Sequence, residues 1–361
     1  MRERLERLSA RTNGFTVTPR QYERVAQIAL GALTLIVLSG AAVRLTGSGL
    51  GCPDWPRCYG HAYPPLNAHA LIEFSNRLLT APVSLAAGAA WLLALRRRPY
   101  RRDLARLGLL LPLGVIAQAV LGGFTVRGAL DYGYVMGHFA LSMLILLAAV
   151  LLVWRARPVS GKVRAADTEV SEARAGQLEP APGASDGASN GARDRRLVIL
   201  LRALVALGAL TIFAGTAATA AGPHAGGSPG QRINRLNFDG RSTMDFVIHR
   251  HGEIALAFGL VALGVWWLAR RRQAPSSVQR PLTLLCVLLA LQGLVGLDQY
   301  KTHLPTELVW VHVGLACGAW LAALWAACAS GAFEPARARF AADRRSKRPV
   351  RAPGLVKNPG N

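Results

Sequence analysis

Residues 107–126 read LGLLLPLGVIAQAVLGGFTV, a run without a single charged side chain. An α-helix rises about 1.5 Å per residue, so a run of roughly 20 residues spans the hydrocarbon core of a bilayer. Seven further apolar blocks lie along the chain, at residues 28–43, 81–95, 135–154, 197–221, 254–269, 282–297 and 308–329. The blocks lack the period-2 alternation of a membrane β-barrel, so they predict eight transmembrane helices.

The distribution of charge supports a membrane protein rather than a nucleic-acid binder. The chain has 361 residues, of which 52% are hydrophobic and 17% charged, and its formal net charge is +22. The basic residues are concentrated in alternate connections and in the tails: the N-terminal tail, residues 96–106, the segment after 154, residues 270–280 and the tail from 337. The positive-inside rule places these parts in the cytoplasm. The sequence therefore predicts a multi-pass protein of the cell membrane with both termini cytoplasmic, the lipid bilayer as partner and no nucleic acid.

The eight blocks fall into two groups of four, separated by a stretch of small and polar residues. This stretch covers residues 160–194 and holds almost no large apolar side chain. It cannot bury enough surface to fold, so it is predicted to be a disordered cytoplasmic linker. The predicted organisation is a cytoplasmic tail, a four-helix bundle, the linker, a second four-helix bundle and a basic cytoplasmic tail, at residues 1–24, 25–155, 156–196, 197–330 and 331–361.

The two groups of blocks resemble each other. A shift of 174 or 175 residues superposes identical residues of the two groups: Gln118 on Gln292, Gly122 on Gly296, His138 on His312, and Gly40 on Gly215. Because each group has an even number of spans, both copies have the same orientation in the membrane. The predicted fold is an all-α integral membrane protein of two tandem four-helix bundles, related by a pseudo-twofold axis along the membrane normal.

Ionisable residues inside a spanning helix are costly, which makes them functional candidates. The second span opens with IEFSNR, where Glu73, Asn76 and Arg77 share one helix face at i, i+3 and i+4. Two interpretations are open for this face. It is either a functional cluster directed into the bundle, or a Glu–Arg pair within one helix at the membrane interface.

Histidines occur at the outer ends of the fourth, sixth and eighth spans. His138 and its repeat mate His312 occupy equivalent positions, which favours ligation of a common group over an isolated hydrogen bond. The sixth span opens with VIHRHGE, and its His249 and His251 point about 200° apart on a helix, so only one of them can face the interior. Shifts of 173 and 175 residues match them in turn to Asn76, and the sequence leaves the choice open.

Two histidines on different helices of one bundle, without converging cysteines or carboxylates, suit axial ligation of haem iron better than a zinc site. In the C-terminal group, His312 forms such a pair with either His249 or His251. The N-terminal group has His138, but Asn76 occupies the matching position, so that group offers one strong axial ligand.

Three arginines lie at the level of these histidines: Arg44, Arg77 and Arg250. A guanidinium forms strong charge-assisted hydrogen bonds with carboxylates. The three arginines are therefore candidates to bind haem propionates.

Two cysteines, Cys52 and Cys58, flank the sequence PDWPR in an outer connection. Cysteines so close together outside the membrane can form a disulfide, and two free thiols are the alternative.

These residues together resemble the haem A synthases in their bacterial form. The resemblance rests on VRLTGSGLGCPDWP at residues 43–56 with Cys58 after it, on Glu-x-x-x-Arg at residues 73–77, on Gln-x-x-x-Gly in the third and seventh spans, and on the histidines of the fourth, sixth and eighth spans. It covers roughly residues 25–330 and omits the linker and both tails. It implies an oxidoreductase that acts on a CH group, oxidising a ring methyl of haem O to a formyl group to give haem A for terminal oxidases.

The resemblance implies two different haem sites. The C-terminal bundle would hold haem b as cofactor through His312 and one of His249 and His251, and haem b would relay electrons. It also implies a disulfide between Cys52 and Cys58, and it makes a haem O synthase a candidate partner.

The N-terminal bundle would bind the substrate haem, with His138, Asn76 and Arg77 around it. The family's Glu-x-x-His-Arg pattern reads Glu-Phe-Ser-Asn-Arg here, so Asn76 replaces the family's histidine. Glu73 is the expected catalytic residue, which accepts a proton or stabilises positive charge as the methyl loses electrons.

Two other functions use the same residues. A membrane b-type cytochrome that carries electrons would need two bis-histidine sites, and Asn76 counts against it. A haem carrier or assembly protein without chemistry of its own would not need Glu73 within the membrane.

Overall fold

The computed structural model describes residues 15–158, 194–228, 230–238 and 242–334. Within these residues the predicted eight membrane-spanning helices are confirmed, and each is long and apolar enough to cross a bilayer. They are α1 (Pro19–Leu45), α2 (Ala68–Arg96), α3 (Arg102–Arg127), α4 (Tyr132–Ala156), α5 (Arg195–Ala221), α6 (Thr243–Arg271), α7 (Ser276–Lys301) and α8 (Thr306–Ser330).

The helices begin earlier than the apolar blocks because capping residues precede them. α1 starts inside the stretch predicted to be a tail: Thr18 accepts from the N–H of Gln21, and the Gln21 side chain accepts from the N–H of Thr18. This reciprocal pair is a capping box, and Pro19 fits the first helical position. At the start of α5 the Asp194 carboxylate accepts from the next turn. Most of the predicted linker and tails, residues 1–14, 159–193 and 335–361, lies outside the described residues.

Within each group of four, consecutive helices pack against one another, and the first packs against the fourth. Short connections make neighbours antiparallel, so α2 and α4 occupy opposite corners of one ring, and α6 and α8 opposite corners of the other. The groups meet where α8 contacts α1 and α4, and where α4 contacts α5. The pseudo-twofold relation between the groups stays a prediction.

The inner and outer surfaces of the helices differ in packing. α4 and α8 are the most buried spans, and the Trp320 indole on α8 donates to the Met143 carbonyl on α4 at 3.2 Å. On the outside, large apolar side chains such as Leu85 (75% exposed) and Leu294 (66% exposed) face outward. So much exposed apolar surface is unfavourable in water and suits contact with lipid chains.

The connections at one end of the helices join the two groups. The Gly49 N–H donates to the Gly226 carbonyl and the Ser228 hydroxyl to the Gly47 carbonyl, each at 2.8 Å. Gly47 has a φ of +65°, and a Cβ there would lie 2.9 Å from the Gly227 carbonyl oxygen. Glycine is therefore required at this position, both for the left-handed backbone and for the close approach of the two chain segments.

Candidate functional site

A pair of histidines faces each other inside the C-terminal helices. His251 on α6 and His312 on α8 place their ring centres 6.2 Å apart, with the planes at 74°. Each ring packs against a glycine of a neighbouring helix: a Cβ on Gly215 would lie 3.1 Å from Cε1 of His251, and one on Gly296 would lie 3.2 Å from Cε1 of His312. Nδ1 of each ring is buried without a hydrogen-bond partner. The two imidazoles are thus held across the bundle and directed at each other.

His249 lies on the other side of α6. Its ring is exposed, its Nδ1 is 2.6 Å from the Asp245 carbonyl oxygen, and it meets the ring of Tyr300 edge-on. Since two residues along a helix are about 200° apart, the inward position of His251 requires this outward position. Of the two candidates, the structure brings only His251 to His312.

The histidine pair fits an iron between its rings. A metal–imidazole bond is about 2 Å long and the ring centre lies roughly 1 Å behind the nitrogen, so two axial imidazoles place their ring centres about 6 Å apart. The separation of 6.2 Å matches this requirement. In the part of the chain that the structure describes, no three His, Cys, Asp or Glu side chains are grouped to hold a metal ion by themselves. The pair is therefore suited to a metal whose other ligands come from a macrocycle.

The N-terminal helices present one histidine. A Cβ on Gly122 would lie 3.5 Å from Cε1 of His138, the same arrangement as at Gly296 and His312 but looser. The Gln118 amide donates to the His138 carbonyl at 3.0 Å, which fixes α3 against α4 at this level. Nδ1 of His138 is buried and unpartnered, as it is in the other two inward histidines.

Asn76 lies on α2, at the opposite corner from His138. The Ser39 hydroxyl on α1 donates to Oδ1 of Asn76 at 2.7 Å. The carboxamide is thereby held toward α1, and His138 is the imidazole available at this site.

Glu73 and Arg77 fasten the outer loop to α2. They form a buried ion pair within the helix, and Oε2 of Glu73 accepts from the Cys52 N–H at 2.7 Å. Arg77 also donates to the carbonyls of Cys52 and Asp54, at 3.0 and 2.8 Å. The ion pair that the sequence left as an alternative is present, and removing one partner of such a pair costs about 3–5 kcal/mol.

The loop that these residues hold is closed by a disulfide between Cys52 and Cys58, as predicted. Within it the Asp54 carboxylate accepts from the N–H groups of Gly60 and Tyr59, at 2.7 and 2.6 Å. The bond from Gly60 and then that from Tyr59 hold the pKa of Asp54 below its ordinary value, because they stabilise the charged form. The loop is thus a rigid cover over the end of α2.

The two remaining arginine candidates have different surroundings. Arg44 at the end of α1 reaches the other group of helices, where it donates to the Thr219 carbonyl at 3.2 Å, and its Nε is buried without a partner. Thr219 in turn donates to the carbonyl of Gly215, the residue that contacts His251. Arg250 is exposed and paired with Glu253 at 2.7 Å.

Some residues at the site were not identified from the sequence. Trp55 packs between α3 and the loop: a Cβ on Gly123 would lie 2.7 Å from its ring, and the Arg77 guanidinium lies 5.0 Å over it. Ser39 gave no signal, because its partner Asn76 is 37 positions away. The place of Trp55 in the GCPDWP segment was the available indication that it belongs to the site.

A methyl group at Gly215 or Gly296 is expected to displace the facing imidazole, because the nearest ring atom is only 3.1 or 3.2 Å away. Overpacking of this kind costs about 1–3 kcal/mol. Gly215→Ala and Gly296→Ala should each lower the affinity of the purified protein for haem, measured by haem titration, and alter the absorption spectrum of the bound haem.

The matched control for this prediction is Gly293→Ala on α7, where an added Cβ meets no described atom within 4 Å. An unchanged haem affinity and spectrum in both glycine variants would show that the rings are not positioned by these contacts.

Fold and site together define a multi-pass helical membrane protein that directs histidines into its bundle interiors. The chain belongs to the cytochrome oxidase assembly protein family, whose profile matches residues 23–324. That match covers all eight helices except the ends of α1 and α8.

Individual relatives agree with this family assignment. The chain is similar to the heme A synthase of Shewanella oneidensis, with 29% identity over 325 residues, which cover 80% of this chain and 90% of that protein. It is also similar to the heme A synthases of Lysinibacillus sphaericus, 39% identical over 34% of this chain and 40% of the relative, and Geobacillus kaustophilus, 32% identical over 40% and 46%.

Proposed function

We propose that the chain is a haem A synthase, which oxidises a ring methyl of haem O to a formyl group and so supplies haem A to terminal oxidases. The observation that carries the proposal is the pair His251 and His312, spaced for one iron inside a membrane bundle of this family. The Shewanella relative, which bears the name heme A synthase, aligns over most of both chains and supports it.

His312 and His251, rather than His249, are the proposed axial ligands of haem b in the C-terminal bundle. When bound there, haem b supplies one-electron transfer to and from the reaction. Arg44, whose buried Nε lacks a partner, is the favoured candidate for a propionate of this group. Arg250 remains a second candidate, although its charge is already paired with Glu253.

The N-terminal bundle is the proposed site of the substrate haem. His138 would bind one face, and Asn76 would lie at the other. Arg77, whose donors serve the outer loop, would act by holding that loop over the substrate.

Glu73 is the proposed catalytic residue. Loss of hydrogen from the methyl group requires a proton acceptor, and Glu73 is a buried carboxylate on α2, one helical turn from Asn76. Its bonds to Arg77 and the Cys52 N–H fix the orientation of the carboxylate before it accepts a proton.

The membrane environment of the proposal follows from charge. The basic connections between α2 and α3 and between α6 and α7 are proposed to face the cytoplasm of the cell, with both termini on that side. The disulfide loop would then face the opposite side, where disulfides persist. A haem O synthase is the proposed source of substrate.

The decisive experiment is expression in a host that makes haem O but no haem A, followed by extraction and chromatography of the haems. Formation of haem A is expected. A protein that binds haem b but leaves haem O unchanged, when folded and supplied with an electron acceptor, would instead be an electron carrier or a haem carrier.

A further inference from the structure

The site facing His138 differs from its counterpart in the other bundle. In the C-terminal helices the ring of His251 fills the space beside Gly215, at 3.1 Å. A shift of 175 residues puts Asn76 and Gly40 in these places, and a Cβ built on Gly40 meets no described atom within 4 Å. Asparagine is too short to fill the space that the imidazole fills.

Asn76 is also unsuited to replace the imidazole as a ligand. Its Oδ1 accepts from Ser39 and is thereby turned toward α1. The hydrogen bonds of the described residues include none from Nδ2 of Asn76, so its NH2 group is a free donor. A carboxamide nitrogen donates hydrogen bonds but does not bind iron as imidazole does.

We propose that the N-terminal bundle holds haem through His138 alone and leaves the opposite axial position, beside Gly40 and Asn76, open to small exogenous ligands. These are diatomic molecules such as carbon monoxide and small anions such as cyanide, to which Asn76 donates a hydrogen bond. The inference rests on the proposed function for the presence of haem in this bundle. The C-terminal bundle, with an imidazole on each side, offers no such position.

The test uses the purified full-length chain, titrated with haemin, reduced with dithionite and exposed to carbon monoxide. At two haems per chain, one haem is expected to bind carbon monoxide. Asn76→His should abolish this binding and give a six-coordinate low-spin spectrum at both haems. His251→Ala is the positive control, because it opens the other bundle and should raise carbon monoxide binding to two per chain.

A second variant tests the donor separately from the open position. Asn76→Leu retains a side chain of similar size but removes the NH2 group. It is expected to keep the carbon monoxide stoichiometry and to weaken cyanide binding by the ferric protein about fivefold, the usual contribution of one hydrogen bond.

The inference and the proposed function fail in different ways. Two bound haems without carbon monoxide binding, or equal binding in wild type and Asn76→His, would overturn the open position. Failure to bind a second haem would overturn both the open position and the proposed substrate site. Haem A formation without carbon monoxide binding would keep the enzyme and remove the inference, whereas the converse would keep the inference and remove the enzyme.

Discussion

Replacing His251 by alanine is expected to remove haem b from the purified protein, and haem A formation with it. His251 is the residue that faces His312 at a ring separation of 6.2 Å, so its loss leaves a single imidazole at the C-terminal site. Loss of a partner of a ligand already costs about 10–100-fold in metal affinity, and loss of the ligand itself should exceed that. The measurement is haem b per chain, by pyridine haemochromogen after purification.

His249→Ala is the matched control, because it lies two residues away on the same helix and is exposed. It should retain haem b at the wild-type level. If His249→Ala lost haem b and His251→Ala kept it, the assignment of the ligand would be reversed, and α6 would have to rotate on binding.

Glu73→Gln is expected to retain haem b but to lower haem A formation by about 100-fold or more, the range over which a positioned acid or base acts. The substitution keeps the size of the side chain and removes the proton acceptor. The measurement is the ratio of haem A to haem O in cells that supply haem O. Wild-type haem A formation by this variant would eliminate the proposed role.

Because Glu73 also fastens the outer loop, a loss of activity needs a control for loop order. Asp54→Ala removes the carboxylate that accepts from Tyr59 and Gly60, while Glu73 is unchanged. Equal losses of haem A in both variants would assign Glu73 a structural role, whereas a loss confined to Glu73→Gln, with partial recovery in Glu73→Asp, supports chemistry. Thiol labelling reports whether the disulfide between Cys52 and Cys58 is intact in each.

The sequence was sufficient for the features that depend on composition and local pattern. Eight apolar blocks predicted eight helices, because a bilayer leaves the backbone few other structures. The positions of His138 and His312 followed from the repeat. The disulfide followed from the resemblance and is present.

Features that depend on tertiary contacts could not be predicted in this way. The choice between His249 and His251 is set by which side of α6 meets α5, and no local signal distinguishes the two. The bond from the Cys52 N–H to Glu73 joins residues 21 positions apart, so the use of this carboxylate in holding the loop is visible only after folding. Likewise, the open space at Gly40 arises because Asn76 is shorter than its counterpart.

Helix α8 has a consequence for how the protein is made. One side of it, with Cys317, Trp320 and Leu324, completes the apolar core of the N-terminal helices, and the adjacent side, with Ala319 and Ala323, completes that of the C-terminal helices. Yet α8 is the last span to leave the ribosome, at a synthesis rate of about 5–20 residues per second. Neither bundle can reach its final packing during translation, so haem is expected to be inserted after synthesis ends, and a nonsense mutation before α8 would leave both sites unfinished.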